Sequence, residues 1–520
     1  MAKAAAKSSG GIRWGLMDRA LASVAPRVAA RRYAARVAIA NLRRAYEGAD
    51  RGRLTDGWRT ASTAADAEIA AAGAVLRDRM RDLVRNNALA AQAVQVLVNN
   101  IVGYGIRPRA ASGNKALNRR VDKLFERWSR RCDAHGHTDF YGLQVLAVRE
   151  MIEGGEVFAV RRPLRAAEAA GGVPLQIEIR EADHLDDSKW LEETSGRRIK
   201  QGIEYDASGK RVAYWMFPEH PGDRLLMLSP RNESVRVPAD MVAHLFERQR
   251  VQSRGVPWGA PAMTALRDLA DWQVAEMVRK KTEACLVGVV IGDDEEQMGV
   301  TPQMVDSAGR RIEQFEPGLI AYARGGKDIK FHQPASTPGI REWNLVQMHI
   351  IAAGFRVPYA LMTGDLSQAN FSSSRAGLNE FRRMVEQVQW QTVIPMLLDR
   401  IWGWFIEAAY TAGLIPTADV PAEWSPPRFE SVNPWQDAQA DLLEVRAGFV
   451  SAQEMAAKRG YDWRAVLEEQ AEYLREAGRL GLAVVSDPRR VTEQGFAQQK
   501  DPLAVEDDAG EGTPRDGGEE

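Results

Sequence analysis

Cysteine is almost absent from this 520-residue chain: Cys132 and Cys285 are its only two. Two cysteines so far apart in sequence give no disulfide framework and cannot supply a four-thiolate metal site, which fits a reducing cytosol. Long apolar runs are missing as well. No stretch approaches 18 consecutive apolar residues, and Lys3 and Lys7 are followed by no unbroken apolar core, so neither a membrane span nor a signal peptide is expected. Net charge is also missing, since 69 Lys+Arg against 70 Asp+Glu leave −1, with a pI near 6.7. Nothing in that balance draws the chain as a whole to nucleic acid. Any such contact has to come from local patches or from geometry.

Catalytic signatures are absent too. There is no G-x-x-x-x-G-K-[ST] loop to cradle a triphosphate, no G-x-G-x-x-G after a strand and no G-x-S-x-G elbow. The nearest approach to a metal site is Cys132-x-x-His135-x-His137, followed by Asp139. Zinc needs three or four converging ligands, and this short glycine-containing loop has no second cluster to complete the set. It reads as a turn with surface histidines. His184, His244 and His332 lie beside strand-like runs and read as structural. Asp293-Asp294-Glu295-Glu296 follows a strand, where consecutive side chains point apart, and suits a solvated turn better than a cation site. Gly325-Gly326-Lys327 has no helix start behind it to make an anion site. No active site assembles from these residues, and no cofactor or metal is expected.

What is present is a core-forming sequence, 45% hydrophobic and 27% charged, with unevenly placed charge. Residues 1–60 hold 13 Lys/Arg against 4 Asp/Glu, and residues 501–520 hold 8 Asp/Glu against Arg515. Both ends read as exposed arms, basic at 1–60 and acidic and disordered at 485–520. Apolar spacing predicts helices within 61–100, over 114–131, from Gly142 to Glu153, over 259–285 and 341–355, and from about 374, with Pro395 as a kink. Strands are expected at Val157–Val160, Leu175–Ile179, Ala213–Phe217 and Val242–Phe246, mostly antiparallel. Two more are expected at Val287–Ile291 and Leu319–Ala323.

A series of motifs runs through this frame. Leu76-Arg77-x-Arg79-x-Arg81-Asp82-Leu83-Val84-Arg85-Asn86-Asn87 is followed by Asn99-Asn100-Ile101-Val102-Gly103-Tyr104-Gly105-Ile106, then by Trp128, Cys132-Asp133, Gly136 and Leu143-Gln144. Gly154-Gly155-Glu156-Val157-Phe158 and Glu181-Ala182-Asp183-His184-Leu185 continue it, then Val237-Pro238-Ala239, His244-Leu245-Phe246 and Gln252-Ser253-Arg254-Gly255-Val256-Pro257. Ile351-Ala352-Ala353-Gly354-Phe355-x-Val357-Pro358-Tyr359 and Gly364-Asp365-Leu366-Ser367-x-x-Asn370-Phe371-Ser372-Ser373-Ser374-Arg375 complete it. In this order and at these separations the chain resembles the lambda-type bacteriophage portal family, with Phe371 where the family often has Tyr.

The resemblance implies an α+β, predominantly helical portal fold with wing, helical stem, α/β clip and helical crown, assembled as a ring, typically of twelve subunits, at one capsid vertex. By order, 61–258 would be wing, 259–285 and 336–357 stem helices, 286–335 clip and 358–375 tunnel loop. Residues 376–434 would be a long kinked helix returning to the wing, and 435–484 the crown. The implied work is to conduct double-stranded DNA, independent of its sequence, during packaging and ejection, and to nucleate procapsid assembly. Implied partners are further copies of the chain, the large terminase, the major capsid and scaffold proteins and the head-tail adaptor. The setting is the virion, with the host cytoplasm during assembly and no membrane.

Candidate DNA contacts are Thr363, Asp365, Ser367, Gln368, Asn370, Ser372, Ser373 and Arg375 in the tunnel loop, and Arg279, Lys280 and Lys281 on the stem. Val357-Pro358 should end one helix and Ser372–Ser374 cap the next, with Gly364 as pivot between. Short, mostly uncharged side chains can touch phosphates without the grip of a Lys/Arg ring, which suits sliding DNA. The missing phosphate loop separates the chain from the terminase motor. Rival readings are another virion structural protein, such as an adaptor or capsid subunit, or a metal-dependent nuclease using Asp293–Glu296 or the Cys132 loop.

Overall fold

The computed structural model describes residues 25–32, 57, 60–165, 167–169, 171–194, 196–223, 233–284, 288–292, 320–324, 328–331, 339–367, 371–427, 429, 434–458, 461, 463–482 and 484. The chain divides into two units, Met1–Ala64 and Ala65–Glu520. In the first, residues 26–32 are helical. The acidic end at 485–520, the acidic run at 293–296, the turn at 325–327 and His332 lie outside the described residues.

The second unit is mixed helix and sheet, with helix predominating. It opens with two helices, α1 (Ala65–Asn86) and α2 (Ala88–Ile101). Gly73, Arg77, Met80 and Val84 are spaced by four, three and four, which puts them on one buried face of α1. Asn87 breaks the pair: its backbone is extended and its side chain accepts from the amides of Leu89 and Ala90, capping α2. Gly105, at φ +100°, then lets the chain pass the next layer. A Cβ there would lie 2.2 Å from the Tyr141 ring. β1 (Arg107–Ala110) follows, then α3 (Lys115–Ser129) and α4 (Phe140–Glu153), whose first turns are capped by the side chains of Asn114 and Asp139.

The strand region is antiparallel, as its alternation suggests. β2 (Glu156–Pro163) is central between β3 (Leu175–Glu181) and β9 (Val242–Phe246). Beside this sheet runs a five-stranded meander of β4 (Leu191–Thr194), β5 (Arg197–Lys200), β6 (Ile203–Tyr205), β7 (Arg211–Met216) and β8 (Val235–Pro238). Then come α5 (Met263–Ala284) and a three-stranded sheet in which β10 (Gly288–Gly292) pairs parallel with β11 (Ile320–Arg324) and antiparallel with β12 (Asp328–Phe331). α6 (Ile340–Phe355) returns, followed by α7 (Tyr359–Thr363) and α8 (Phe371–Val388).

The expected kink at Pro395 takes another form. Between α8 and α9 (Asp399–Thr411) the backbone runs through a π-helical stretch, Gln389–Leu398, with Pro395 inside it. Widening the turn accommodates a residue that can neither donate an amide nor tolerate the carbonyl of the preceding turn. The helical run ends at Thr411, short of residue 434, and the chain crosses to β13 (Ala422–Ser425), which pairs antiparallel with β1. Three helices close the described chain: α10 (Pro434–Arg446), α11 (Ala452–Lys458) and α12 (Trp463–Arg479). Among the described residues no helix is long and apolar enough to cross a membrane.

An aromatic cluster holds this body together. The Phe125 ring lies 5.2–5.4 Å from Trp128, Phe140, Trp402 and Phe405, which fastens α3 and α4 to α9. Such pairs add about 0.5–1.5 kcal/mol each beyond the area they bury. The two indole N–H groups of this cluster each donate to a backbone carbonyl, Trp128 to Leu175 and Trp402 to Val420, both at 2.8 Å. The result is a rigid base for the helices that leave it.

Candidate functional site

α5 and α6 leave the core side by side. Met263, Leu266 and Leu269 are buried, but from residue 270 to 281 no side chain of α5 is. α6 mirrors this: none of 340–350 is buried, whereas Ile351, Ala352 and Phe355 are. The pair therefore projects, braced by Trp272 against Trp343 at 4.4 Å, and the β10–β12 sheet lies in sequence between its outer ends. Its root is tight, since a Cβ on Gly354 would sit 2.8 Å from that of Ala262. The projection carries apolar surface into solvent, with Val274, Met277 and Val278 at 63%, 58% and 58% exposure and Val346 and Ile350 at 54% and 52%. Lys280 and Lys281 are exposed beside them. Arg279 is not presented the same way: it is half-buried, and its guanidinium donates to both Glu276 oxygens at 2.6 and 2.8 Å.

The described parts of the stretch 358–375 are largely helical, where the sequence predicts a polar loop. Pro358 starts the short helix α7, which ends at Gly364 with φ +72°. α8 begins at Phe371, so Ser372 and Ser373 lie within the helix and do not precede it as caps, and Arg375 sits in its second turn. Gln368 and Asn370 lie outside the described residues, as do the side chains of Ser372, Ser373 and Arg375. Thr363, Asp365 and Ser367 are brought together in a knot. The Thr363 hydroxyl donates to the Tyr359 carbonyl at 2.9 Å and accepts from the Asp365 amide at 3.2 Å. Asp365 accepts from the Tyr359 hydroxyl at 3.0 Å and the Ser367 amide at 2.9 Å. Hydrogen bonds from Ser367 and Tyr359 hold the Asp365 carboxyl below the usual range, so this turn carries a fixed negative charge. The Tyr359 ring stacks on His349 of α6, 4.3 Å between centroids. Arg356, at φ +59°, joins α6 to the body by a forked pair with Glu247 at 2.6 and 3.0 Å.

Behind the projection lies a fully buried ionic network. Glu156, the first residue of β2, accepts from Arg254 Nε at 2.6 Å, the Gly255 amide at 3.0 Å and His244 Nε2 at 2.9 Å. On the far side of the imidazole, Arg211 donates to Nδ1 at 3.1 Å. A ring with a donor facing Nδ1 and a carboxylate facing Nε2 is neutral with its proton on Nε2. Burial accordingly pushes His244 down to about 4 despite the nearby carboxylate. Burial alone would raise Glu156, but the Arg254 charge and the His244 hydrogen bond hold it well below the carboxylate range. Two backbones meet here as well: a Cβ on Gly255 would lie 2.0 Å from the Gly155 carbonyl oxygen. The two glycines belong to motifs about a hundred residues apart, and no spacing signal in the sequence ties Glu156 to Arg254.

Two other clusters resolve as structural. The Cys132 thiol is buried and pushed up by burial and by Asp133 and Asp139, and it donates to the Ser129 carbonyl. Asp133 accepts the amides of His135, His137 and Thr138, while the two histidine side chains are exposed and Asp139 is spent capping α4. These donors do not converge. Glu181 and Asp183, noted in the sequence only as part of a motif, do come within 4.8 Å of each other and of His220. Arg81 already pairs with Glu181 and Asp183 at 2.5 and 2.7 Å, and Arg77 with Asp183 at 3.1 Å, so a cation would have to displace two guanidinium groups. Glu150 beside them is pushed up to about 7 by burial and by the Glu181 charge.

Residues 51–389 match the family of phage portal proteins, lambda family. The chain belongs to that family. A portal role and a place in the virion follow from membership. Over 466 residues the chain is 28% identical to a probable portal protein of Halomonas phage phiHAP-1, covering 85% of this chain and 88% of that one. Among solved structures it is similar to the neck of an empty gene transfer agent particle computed with C6 symmetry, at 16% identity and TM-score 0.44, covering 78% of this chain and 97% of that one. It is also similar to the neck of the native particle computed with C12 symmetry, at 14% identity and TM-score 0.40, covering 74% and 93%. At those TM-scores the assignment rests on the family match. The buried Glu156–Arg254 network joins the Gly154-Gly155-Glu156 and Arg254-Gly255 motifs, eight residues before the chain enters α5.

Proposed function

We propose that about twelve copies form a ring at one capsid vertex, through which double-stranded DNA passes during packaging and ejection. The observation that carries this reading is the projecting α5–α6 pair with its unsatisfied apolar flank. A lone chain leaves Val274, Met277, Val278, Val346 and Ile350 in water, and a neighbouring copy in a ring covers them. The projecting helices are then the stem (259–285 and 336–357), the 286–335 segment the clip and 61–258 the wing. Residues 358–375 form the tunnel loop, 376–434 the helical return to the wing and 435–484 the crown. Thr363, Asp365 and Ser367, with Gln368, Asn370, Ser372, Ser373 and Arg375, line the narrow part of the channel, and Lys280 and Lys281 (with Arg279 as their neighbour) face DNA from the stem.

The knotted turn at Asp365 repels phosphate weakly and keeps DNA from sticking, whereas a ring of free cations would grip it. The chain acts as a passive conduit. ATP is spent by a separate large terminase docked on the clip, which the head-tail adaptor later replaces, and the wing meets the major capsid and scaffold proteins as the ring nucleates the procapsid. Heads assembled with this chain and supplied with terminase and ATP should protect DNA from nuclease, and heads assembled without it should protect none. Equal protection in its absence would overturn the reading.

A further inference from the structure

Helix α3 presents an unassigned basic face. Lys115, Arg119, Lys123 and Arg127 recur every four residues, which spreads them over about 18 Å of the helix, and Arg120 stands beside them. All are exposed. Arg119, Arg120, Lys123 and Arg127 line a recess of about 430 Å³ together with Ala116 and Leu124. A second recess of about 410 Å³ continues it past Arg127 to Arg130 and Arg131. Arg119 pairs with Glu468 at 2.9 Å and Arg130 with Glu126 at 2.7 Å. Among the described residues, no ion pair within 4.0 Å is formed by Lys115, Arg120, Lys123, Arg127 or Arg131. Glu168 lines the second recess, so six Arg and Lys side chains from Arg119 to Arg131 face three nearby carboxylates, Glu126, Glu168 and Glu468. The surplus positive charge suits an anionic partner.

We propose that this partner is the chain's own acidic C-terminal segment, residues 501–520, docking along α3 of the same copy. Two observations favour it over any other polyanion. The pair from Arg119 to Glu468 already brings α12, the last described helix, within side-chain reach of this face. The segment also carries the complementary charge, eight carboxylates against Arg515. Reach is sufficient: from Glu468 the helix runs on to Arg479, about 17 Å, and the sixteen residues of 485–500 can span roughly 50 Å more. Each exposed pair is weak and screened by salt. Tethering nevertheless holds the segment near the groove at an effective concentration on the order of millimolar, so several weak pairs act together. The docked segment keeps a basic stripe on the body from holding DNA without regard to sequence.

Zero-length carbodiimide coupling of the full-length protein at low salt, followed by mass spectrometry of the band that runs as a single chain, tests this. Lys115 and Lys123 should couple to carboxylates within 501–520. These links should fall to background in the variant Arg120→Glu/Arg127→Glu, which alters only exposed side chains and should melt as the parent does. Deleting 501–520 should raise affinity for a short DNA duplex about tenfold, because phosphate contacts are then unmasked. Links confined to Lys3 and Lys7 of the basic N-terminal arm, or found only in bands of two chains, would overturn the proposal. So would full-length protein that binds the duplex as tightly as the truncated form, which would make the groove a DNA site.

Discussion

Glu156→Ala is expected to lower the stability of the fold by about 3–5 kcal/mol, because it leaves the buried Arg254 guanidinium without its counter-charge. The same change removes the acceptor for the Gly255 amide and for His244, so three donors lose their partner at once. Urea unfolding followed by tryptophan fluorescence reads the effect directly. A loss below about 1 kcal/mol would show that the network is not what holds β2 and β9 to the 250–257 segment. The network also sets a pH response. His244 is near 6.5 when unfolded and about 4 when folded, so between those values the unfolded chain binds the extra proton. Stability is therefore full above pH 6.5 and falls as the pH drops toward 4. Glu156 acts in the same direction at lower pH, since its depressed folded value makes its contribution vanish only in strong acid. His244→Gln should flatten the pH 4–6.5 slope while leaving the neutral-pH midpoint little changed. An unchanged slope would assign it to other groups.

The second large effect concerns assembly and not folding. Met277→Asp combined with Val278→Asp should leave a single chain as stable as before, because both side chains are already more than half exposed. In the proposed ring each copy would bury them against a neighbour. Losing two such side chains and burying charge in their place costs about 3–5 kcal/mol per interface, a factor of about a hundred to a few thousand in subunit association. Sedimentation at micromolar concentration should show parent rings and variant monomers with matching thermal melts. Rings formed in full yield by the variant would remove the apolar flank from the interface and, with it, the main support for the stem.

The helical frame was legible because its apolar spacing is sustained. α1, α2, α3, α5 and α6 each keep a three-to-four rhythm over several turns, and their observed bounds fall within a few residues of those the pattern suggests. The short elements were not. β1 and β13 are four-residue strands reading RPRA and AEWS, with no alternation of apolar and polar residues to betray them, and only their mutual pairing makes them strands. Most of the β4–β8 meander was missed for the same reason, apart from the apolar run at Ala213–Phe217. Residues 359–363 read as loop because the polar composition around Gly364 hid a single helical turn that Pro358 sets up. At the candidate site, motif order pointed to the right family, but the partnership of Glu156 with Arg254 and His244 was out of reach. Residues 156 and 254 are brought together by the sheet, and sequence distance says nothing about that.

In the proposed ring the projecting pair is a stem whose apolar flank is completed by neighbouring copies around a hole. Electron microscopy of the purified full-length chain tests it most directly. Top views should show a closed ring of about twelve copies, with a central opening wide enough for a DNA duplex and the α5–α6 pairs arrayed side by side around it. Single particles the size of one 57.6 kDa chain, or rings in which Val274, Met277 and Val278 face solvent, would contradict it.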